Sequence, residues 1–389
     1  MHIHDIIMIM PVKNKTKKFF FSFLALWLLI ASFSCDQGAR VENLGIFGLS
    51  RKRSVLGQDG CTPVPLGKIM MWTFGDTILG TWKGELSVSS TFEDSAVMNG
   101  MISNSLAFTE IPDDDTIKNL QFRFYKNNGR VAQFIKYSPG EDPRIWRLWP
   151  ADGIRLGSTV YVYYYMVLIE KSTNRKSGEL PPMRIMGTGI AEWKIPPSWK
   201  TGDPVDFRRT VKIFSGDEPI FGDCVEKQGD YLYIIGRGSP HNGRAPAFIA
   251  RVRISEIKNR RAYNFLDMKN RWSSEIGSAR PFFNDVAGEL SLSYNEYLKK
   301  YVIIYCSLKG AIKYAAFNNF AFLKSEEAKD LYAPPPLPRI ESRPHLFYYS
   351  GKEIRRTQKG IYAIYINPAI YQPILLKVPY TAVTESAKF

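Results

Sequence analysis

Short apolar runs, rich in aromatic and β-branched residues, recur along the chain with Gly, Pro and Asp residues between them. Neighbouring runs lie about 60 to 95 residues apart, and such runs bounded by turn residues are typical of β-strands. Helical periodicity is scarce, and SEEAKDLY at 325–332 is the main helix candidate. The pattern therefore predicts an all-β protein. The five runs are IMMWTF (69–74), TVYVYYYMVLI (159–169), YLYIIGR (231–237), YVIIYC (301–306) and IYAIYI (361–366).

The spacing of these runs predicts the architecture. The intervals are longer than typical propeller motifs, but they fit four-stranded blades that carry loops. A sandwich of this size would usually divide into two domains, whereas residues 57–380 suit five blades. We therefore predict a single-domain five-bladed β-propeller over 57–380. Residues 36–56, polar and basic, are predicted to form a tether, and residues 381–389 a C-terminal tail.

A polar residue precedes each apolar run at a similar distance. In a propeller the innermost strand of each blade starts at one rim of the central channel, so these residues are expected to share one pocket. Asp-Gly and Gly-Asp pairs are also ordinary turn residues, which is the alternative for any one of them. The five residues, in chain order, are Asp59, Asp152, Asp223, Glu289 and His345.

The N-terminal segment has the composition of an export signal. Four lysines precede the apolar stretch FFFSFLALWLLIASFS, which ends at Cys35. The stretch is too short for a membrane span and has the flanks of a signal peptide. The position of Cys35 resembles a bacterial lipoprotein signal, in which the cysteine becomes the lipidated first residue. Residues 1–35 therefore predict an exported lipoprotein of the bacterial cell envelope; a signal cleaved without lipidation and an uncleaved anchor are the alternatives.

Charge narrows the range of partners. The formal net charge is +15, and removal of residues 1–34 lowers it by three. A basic excess suits an anionic glycan, a phospholipid surface or nucleic acid, or is simply a solvated surface. Export argues against nucleic acid, and the basic residues are dispersed rather than gathered in one stripe. We predict no nucleic-acid partner, and membrane contact through the N-terminal lipid anchor.

Cysteine and histidine usage excludes several kinds of site. Beyond Cys35 the chain has Cys61, Cys224 and Cys306, which indicate either one disulfide with a buried thiol or three buried thiols. Only His241 and His345 follow the signal, so a multi-histidine metal centre is excluded. No G-x-S-x-G elbow is present. We predict no cofactor, with a central structural ion as the alternative left open.

A set of motifs resembles a known family of secreted bacterial five-bladed propellers, long classed as a domain of unknown function, that includes endo-D-arabinanases. The chain is more distantly similar to the five-bladed furanosidases and arabinanases. The resemblance spans roughly residues 55–370 and implies a glycan pocket on the propeller axis, with hydrolysis in some members. The motifs are DG (59–60), WTFGDT (72–77), MISNSLAF (101–108), WPADGIRLGSTVYVYY (149–164), GELSLSYNEYLKKYVIIY (288–305) and RPHL (343–346).

The resemblance implies that two first-blade aspartates, Asp59 and Asp76, are catalytic. Glycoside hydrolysis needs two carboxyl groups at one scissile bond, roughly 6.5 to 9.5 Å apart in inverting enzymes and 5 to 5.5 Å in retaining ones. Asp76 ends an apolar strand, so burial is expected to raise its pKa and favour the acid role. Asp59 lies in a polar, Gly-rich turn, which favours the base role. Glu289 is a rival general acid, because a later-blade glutamate has that role in the distant furanosidases.

Other polar and aromatic residues are candidates for contacts with a poly- or oligosaccharide. Trp149 could stack on a sugar ring, and Arg147 could pair with a ring carboxylate or an anionic substituent. Asn104 could donate to a hydroxyl or cap a turn. His345 could bind a hydroxyl, lie near a central ion or make a structural hydrogen bond. The predicted substrate-binding set is Asp152, Trp149, Asn104, Asp223, Glu289, His345 and Arg147.

Three functions remain open. The first is a glycoside hydrolase acting on a furanose-containing, arabinan-like glycan. The second is a surface glycan-binding propeller without turnover, and the third is an envelope scaffold with a structural polar axis. Asp59 and Asp76 discriminate them: carboxyl groups that are close and open to solvent favour hydrolysis. A carboxyl group that is sealed, or bridged by an arginine, favours binding or scaffolding.

Overall fold

The structure is a computed structural model that describes residues 40–48, 54–83, 96–170, 181–320, 328–340 and 346–384. Within them, 26 strands form seven antiparallel sheets. The first thirteen strands are β1 (Glu42–Ile46), β2 (Val55–Gln58), β3 (Thr62–Pro65), β4 (Ile69–Phe74), β5 (Thr77–Trp82), β6 (Ala96–Ile102), β7 (Ser105–Glu110), β8 (Arg123–Phe124), β9 (Lys126–Asn127), β10 (Arg130–Val131), β11 (Trp146–Leu156), β12 (Thr159–Ile169) and β13 (Met183–Lys194). The others are β14 (Arg208–Ser215), β15 (Ile220–Gln228), β16 (Tyr231–Arg237), β17 (Ala247–Arg253), β18 (Asn264–Leu266), β19 (Trp272–Ser273), β20 (Ser291–Asn295), β21 (Lys300–Cys306), β22 (Ile312–Phe317), β23 (Lys329–Tyr332), β24 (Tyr349–Thr357), β25 (Gly360–Asn367) and β26 (Gln372–Val378).

Helices are few and short among these residues. One α-helix, α1, spans Tyr380–Thr384. Searched over the same residues, the fold contains no helix long and apolar enough to cross a membrane. The 3-10 helices are Ile117–Asn119, Ile254–Glu256, Arg260–Ala262 and Ile276–Ser278.

Five of the sheets have four or five strands each. Sheet 1 has the order β3-β4-β7-β8, sheet 2 β11-β12-β13-β14, sheet 3 β15-β16-β17-β18-β19, sheet 4 β20-β21-β22-β23, and sheet 5 β24-β25-β26-β1. The five predicted apolar runs form the second strand of each sheet, β4, β12, β16, β21 and β25. These strands are apolar because both of their faces are covered; every residue of β25 is buried. The all-β prediction is confirmed.

The N-terminal strand completes a sheet built from the C-terminal end of the chain. Glu42 pairs with Lys377 and Ile46 with Ile374. The segment 36–56, predicted to be a tether, includes β1, and β2 begins within it at Val55. The predicted helix was also wrong over Lys329–Tyr332, which forms β23 against β22. Leu331 and Tyr332 pack there on the core of sheets 4 and 5.

The hydrophobic core lies between successive sheets. Five clusters of buried side chains join sheets 1 and 2, 2 and 3, 3 and 4, 4 and 5, and 5 and 1. The first strand of each of sheets 1 to 5 contributes residues to one cavity of about 380 Å³. Representative pairs, in the order of the sheets above, are Phe108 with Tyr164, Tyr163 with Phe265, Ile235 with Ile303, Ile304 with Tyr365, and Ile364 with Trp72.

The three cysteines of the fold are buried free thiols: Cys61, Cys224 and Cys306. This matches the second of the two alternatives that the sequence left open. Burial raises the pKa of the Cys224 thiol well above its ordinary value, so the thiol stays neutral. These side chains serve as small packing residues rather than nucleophiles.

Candidate functional site

A two-strand ladder brings Asp59 and Asp76 together. Strands β2 and β5 are antiparallel, and Gln58 pairs with Thr77. Beyond this pair the strand pairing ends, and Asp59 directly follows β2 while Asp76 directly precedes β5. The core strand β4 thus leads into a carboxylate, Asp76, that lies near a second one and raises the pKa of Asp59.

The backbone around the two aspartates leaves no room for ordinary side chains. Gly75 N donates to Asp59 O at 3.1 Å. A Cβ atom on Gly75 would lie 2.3 Å from Asp59 Oδ1, so any larger residue there would displace the Asp59 carboxylate. Gly60 and Cys61 both have positive φ, 78° and 56°, which bends the chain into β3 immediately after Asp59.

Asp59 lies in a crowded environment of acids and tyrosines. Tyr349 donates its hydroxyl hydrogen to Asp59 Oδ2 at 3.1 Å. Burial, followed by repulsion from Asp76 and Glu289, raises the pKa of Asp59 to about 8 against the opposing effect of Tyr371 and Tyr349. Asp59 is therefore mostly protonated at neutral pH.

Asp76 is more open and has a cation beside it. Its side chain is 15% exposed, and Arg147 Nε lies 3.6 Å from its Oδ1. Burial raises the pKa of Asp76 to about 6, while Trp149 and Arg147 act in the opposite direction. The order of the two pKa values is thus the reverse of the expected one, because burial raises the pKa of Asp59 as well and Asp76 and Glu289 repel it, while Trp149 and Arg147 lower the pKa of Asp76.

Glu289 is the third carboxylate at this place and precedes β20. It accepts a hydrogen bond from the Ser350 hydroxyl. Burial alone would raise the pKa of Glu289, but Lys352, Arg237 and Ser350 together hold it below its ordinary value. The acid cluster, defined here as Asp59, Asp76 and Glu289, therefore combines a protonated and an ionised carboxyl group, the pair that acid–base chemistry requires.

Asp223 supports the cluster from beneath rather than facing solvent. Its side chain is fully buried, and Arg237 Nε and Nη2 donate to it at 2.6 and 3.0 Å. Tyr165 also donates to it. Burial raises the pKa of Asp223 against the effect of Arg237. Both carboxylate oxygens are bonded within the protein, and Asp223 also lines the cavity; the predicted sugar contact stays a prediction.

Asp152 lies in a bulge of β11 between Pro150 and Gly153. Its two oxygens accept the N–H groups of Gly153 and Val225, each at 2.7 Å. Burial raises its pKa to about 7 despite these bonds. Asp152 lines the cavity, and it ties sheet 2 to sheet 3.

The other predicted binding residues have different fates. Trp149 is partly buried, and its Nε1, like Asp76 Oδ1, is buried without a hydrogen-bond partner among the described residues. Asn104 is fully buried and spends its amide on the backbone of Phe134, Ile135 and Leu148, so the predicted sugar contact is corrected to a structural one. His345 and the lipidation candidate Cys35 lie outside the described residues.

A second polar group, the paired cluster, consists of Glu226 on β15 and of Glu353 and Arg356 on β24. Arg356 Nε donates to Glu353 Oε1 at 2.6 Å, and Ser293 Oγ donates to Glu353 Oε2 at 2.9 Å. Glu226 Oε1 accepts the Tyr294 N–H at 3.2 Å. All three residues line the cavity. Burial, with repulsion from Glu353, raises the pKa of Glu226 to about 7.

The sequence matches a family over most of its length. Residues 50–382 match the family described as Domain of unknown function (DUF4185). The chain belongs to this family. The match confirms the resemblance found in the sequence motifs. None of the curated proteins matches the DUF4185 chain.

Solved structures resemble the DUF4185 chain at low sequence identity. A protein from Bacteroides ovatus ATCC 8483, provisionally described as a hydrolase, is 14% identical, with a TM-score of 0.59 over 92% of this chain and 95% of that one; this likeness shows a shared fold. A GH43_1 enzyme from Xanthomonas citri is 11% identical, with a TM-score of 0.45 over 88% and 91%. CoXyl43, a GH43 beta-xylosidase/alpha-arabinofuranosidase from a compost microbial metagenome, is 13% identical, with a TM-score of 0.44 over 88% and 94%.

Several residues of the site in this DUF4185 chain escaped sequence reasoning. For the fifth unit the sequence predicts His345 at the position before the apolar run. In the structure Tyr349, Ser350 and Lys352 precede that run, and they hydrogen-bond Asp59, Glu289 and Thr62, respectively. The signal was available, because YSGK (349–352) lies about nine to twelve residues before IYAIYI, the offset of the acids in the other units. Arg237 was not predicted as a site residue, because it is the last residue of the apolar run YLYIIGR (231–237).

Proposed function

We propose that the five larger sheets are the blades of a closed five-bladed propeller. Five apolar clusters link the sheets in sequence, and the last of them links sheet 5 back to sheet 1. The first strands, which would be innermost, contribute to a common cavity. The pairing of β1 with β26 would close the ring by joining the two ends of the chain.

We further propose that the protein is a glycoside hydrolase that acts at the acid cluster. The observation that carries the proposal is the β2–β5 pairing that brings Asp59 and Asp76 together, one mostly protonated at neutral pH and the other partly exposed. Asp59 would protonate the leaving oxygen, while an ionised carboxylate would activate water or attack the sugar. Trp149 and Arg147, which lie beside Asp76 and lower its pKa, would hold this carboxylate in its ionised form next to the sugar.

The substrate class we propose is a furanose-containing, arabinan-like glycan, and the place of action is the bacterial cell envelope. The family resemblance supports the first proposal, and the signal-like residues 1–35 with Cys35 support the second. Lipidation at Cys35 would hold the propeller at a membrane surface, where polymeric envelope glycans are within reach.

The test is sugar release by the mature protein from arabinans and cell-wall glycans, compared with Asp59→Asn and Asp76→Asn. The proposal expects release by the wild type and by neither variant. Equal release by all three proteins would overturn the assignment of the two aspartates. Metabolic labelling with a palmitate analogue, compared with Cys35→Ser, tests the anchor.

A second candidate is a glycan-binding protein without turnover. The Arg147–Asp76 approach at 3.6 Å favours it, because a cation beside the carboxylate reduces its basicity. Calorimetric binding of a glycan that the wild type does not cleave, lost in Trp149→Ala, would favour this candidate over hydrolysis.

A further inference from the structure

A buried lysine next to the acid cluster has no part in the proposed chemistry so far. Lys352 is 2% exposed, and its Nζ donates to Thr62 Oγ1 at 2.9 Å. That partner is a neutral hydroxyl, and among the described residues no carboxylate lies within ion-pair distance of Nζ. An ammonium group taken out of water costs several kcal/mol unless nearby charges compensate. The placement of Lys352 therefore requires an electrostatic reason.

A bulge in β24 places this lysine. The register of β24 against β25 shifts between Tyr349 and Lys352, and Ser350 has a φ of 54°. A Cβ on Gly351 would lie 2.6 Å from Cys306 N, so the bulge packs directly on β21. Within these four residues Tyr349 bonds Asp59, Ser350 bonds Glu289 and Lys352 bonds Thr62. One segment of sheet 5 thus supports both Asp59 and Glu289.

The charges around Glu289 come from every element packed against it. Among the two cations, Arg237 is already bonded twice to Asp223, so its charge is largely compensated. Lys352 has no such counter-ion, and its field falls on Glu289 and Asp152. The charged and titratable groups facing Glu289 are Asp59, Tyr165, Asp223, Arg237, Tyr349 and Lys352.

We propose that Lys352 is a positioning residue of this site: the β24 bulge that supplies the hydrogen-bond partners of Asp59 and Glu289 also buries the Lys352 ammonium group without a counter-ion, and this charge favours the ionised form of Glu289. As a statement about catalysis this rests on the proposed function, whereas the electrostatic part does not. Glu289 is then the carboxylate that stays ionised when Asp76 becomes protonated in mildly acidic solution. A buried ammonium on one strand would thus set which carboxyl group serves as base.

The test is a titration of Glu289 by NMR in the full protein labelled with ¹³C at the glutamate carboxyl carbons, with the signal assigned through Glu289→Gln. In the wild type Glu289 is expected to titrate below the ordinary 4.5. In Lys352→Met the midpoint is expected to rise by about 1 to 3 pH units, the usual effect of an adjacent opposite charge. Lys352→Arg restores the low value. The control Lys227→Met, which removes an exposed lysine lining the same cavity, leaves it unchanged.

A wild-type midpoint at or above 4.5, or an unchanged midpoint in folded Lys352→Met, would overturn the proposal. Should Lys352→Met not fold, Lys352→Gln supplies the same comparison while keeping a donor for Thr62. With a cleaved glycan in hand, the acidic limb of kcat/KM should move to higher pH in Lys352→Met and return in Lys352→Arg. Absence of any hydrolysis would overturn the proposed function but leave the titration of Glu289 decisive.

Discussion

The acid cluster lies at strand ends and the paired cluster lies within β15 and β24, and the two hold their carboxyl groups differently. In the paired cluster, Glu353 receives both Arg356 and Ser293. In the acid cluster, Asp59 is repelled by two carboxylates, and Arg147 approaches Asp76 only to 3.6 Å. Satisfied buried charges are typical of structural networks, whereas strained ones cluster at functional sites. This contrast supports the proposal that the acid cluster is the functional site, although the pKa of Glu226 in the paired cluster is also raised, to about 7.

The largest effect that would test this contrast is loss of turnover in Asp59→Asn and Asp76→Asn. Each variant removes a group that the proposed acid–base pair needs, so kcat/KM is expected to fall by about 10²- to 10⁴-fold. Steady-state sugar release on the best glycan of the arabinan panel measures it. Asp142→Asn, at an exposed carboxylate held by Arg144, is the matched control and should keep its rate. A variant of Asp59 or Asp76 with wild-type kinetics would break the contrast.

The second test compares one arginine from each region. Arg237→Met leaves Asp223 fully buried without its cation, and the free energy of unfolding should fall by about 3 to 5 kcal/mol. Arg356→Met leaves Glu353 with Ser293 and some solvent access, so a loss of about 1 to 3 kcal/mol is expected. Urea unfolding of both variants measures the difference. Equal losses would mean that burial of the partner carboxylate does not set the cost of removing its arginine.

Some features of the fold and of the site could be predicted from the sequence, and others could not. The second strands were predictable because burial on both faces leaves continuous apolar runs such as IYAIYI. The pairing of β1 with β26 was not, because its partners lie at opposite ends of the chain and neither end has a distinctive pattern. The placement of Asp59 followed from its offset before a run. The high pKa of Asp59 could not be predicted, because it depends on burial and on repulsion from Asp76 and Glu289, which only the fold brings near.

Asn104 illustrates a different limit. A polar residue in SNSLAF is equally compatible with a sugar contact or a structural bond, and only the fold shows that Phe134, Ile135 and Leu148 consume its amide. The same ambiguity applies to Asp223. Its partner Arg237 lies on the neighbouring strand β16, where it pairs with Ile220 of β15. Sequence reasoning located polar positions, but it could not count their partners.

A third test therefore removes this buried amide. Asn104→Ala leaves backbone groups of Ile135 and Leu148 unpaired, and the free energy of unfolding should fall by about 1 to 3 kcal/mol. Because Leu148 precedes Trp149, KM should rise more than kcat falls. Thermal unfolding and kinetics measure both effects. The control Gln133→Ala removes a side chain that makes a single bond to Ile135 O at 3.3 Å, and it should change neither; comparable losses in both variants would contradict the assignment.

The smallest effect concerns pH and stability in Asp59→Asn. The pKa of Asp59 is raised from 3.8 to about 8 in the folded protein, so its neutral form contributes stability that is present below pH 3.8 and lost as pH rises through about 8. Asparagine resembles the neutral form at every pH. The Tm of the variant relative to the wild type should therefore increase from pH 5 to pH 9, by about 2 to 4 °C for each kcal/mol.

Asp142→Asn provides the opposite sign for this comparison. Hydrogen bonds from Arg144 lower the pKa of Asp142 to about 2, so its contribution is present above its ordinary value of 3.8 and is lost only as pH falls through about 2. Its Tm difference from the wild type should then be constant between pH 5 and pH 9. A flat profile for Asp59→Asn as well would mean that Asp59 is ionised throughout this range. The acid cluster would then lack its proton donor, and binding without turnover would become the better reading of Asp76 and Arg147.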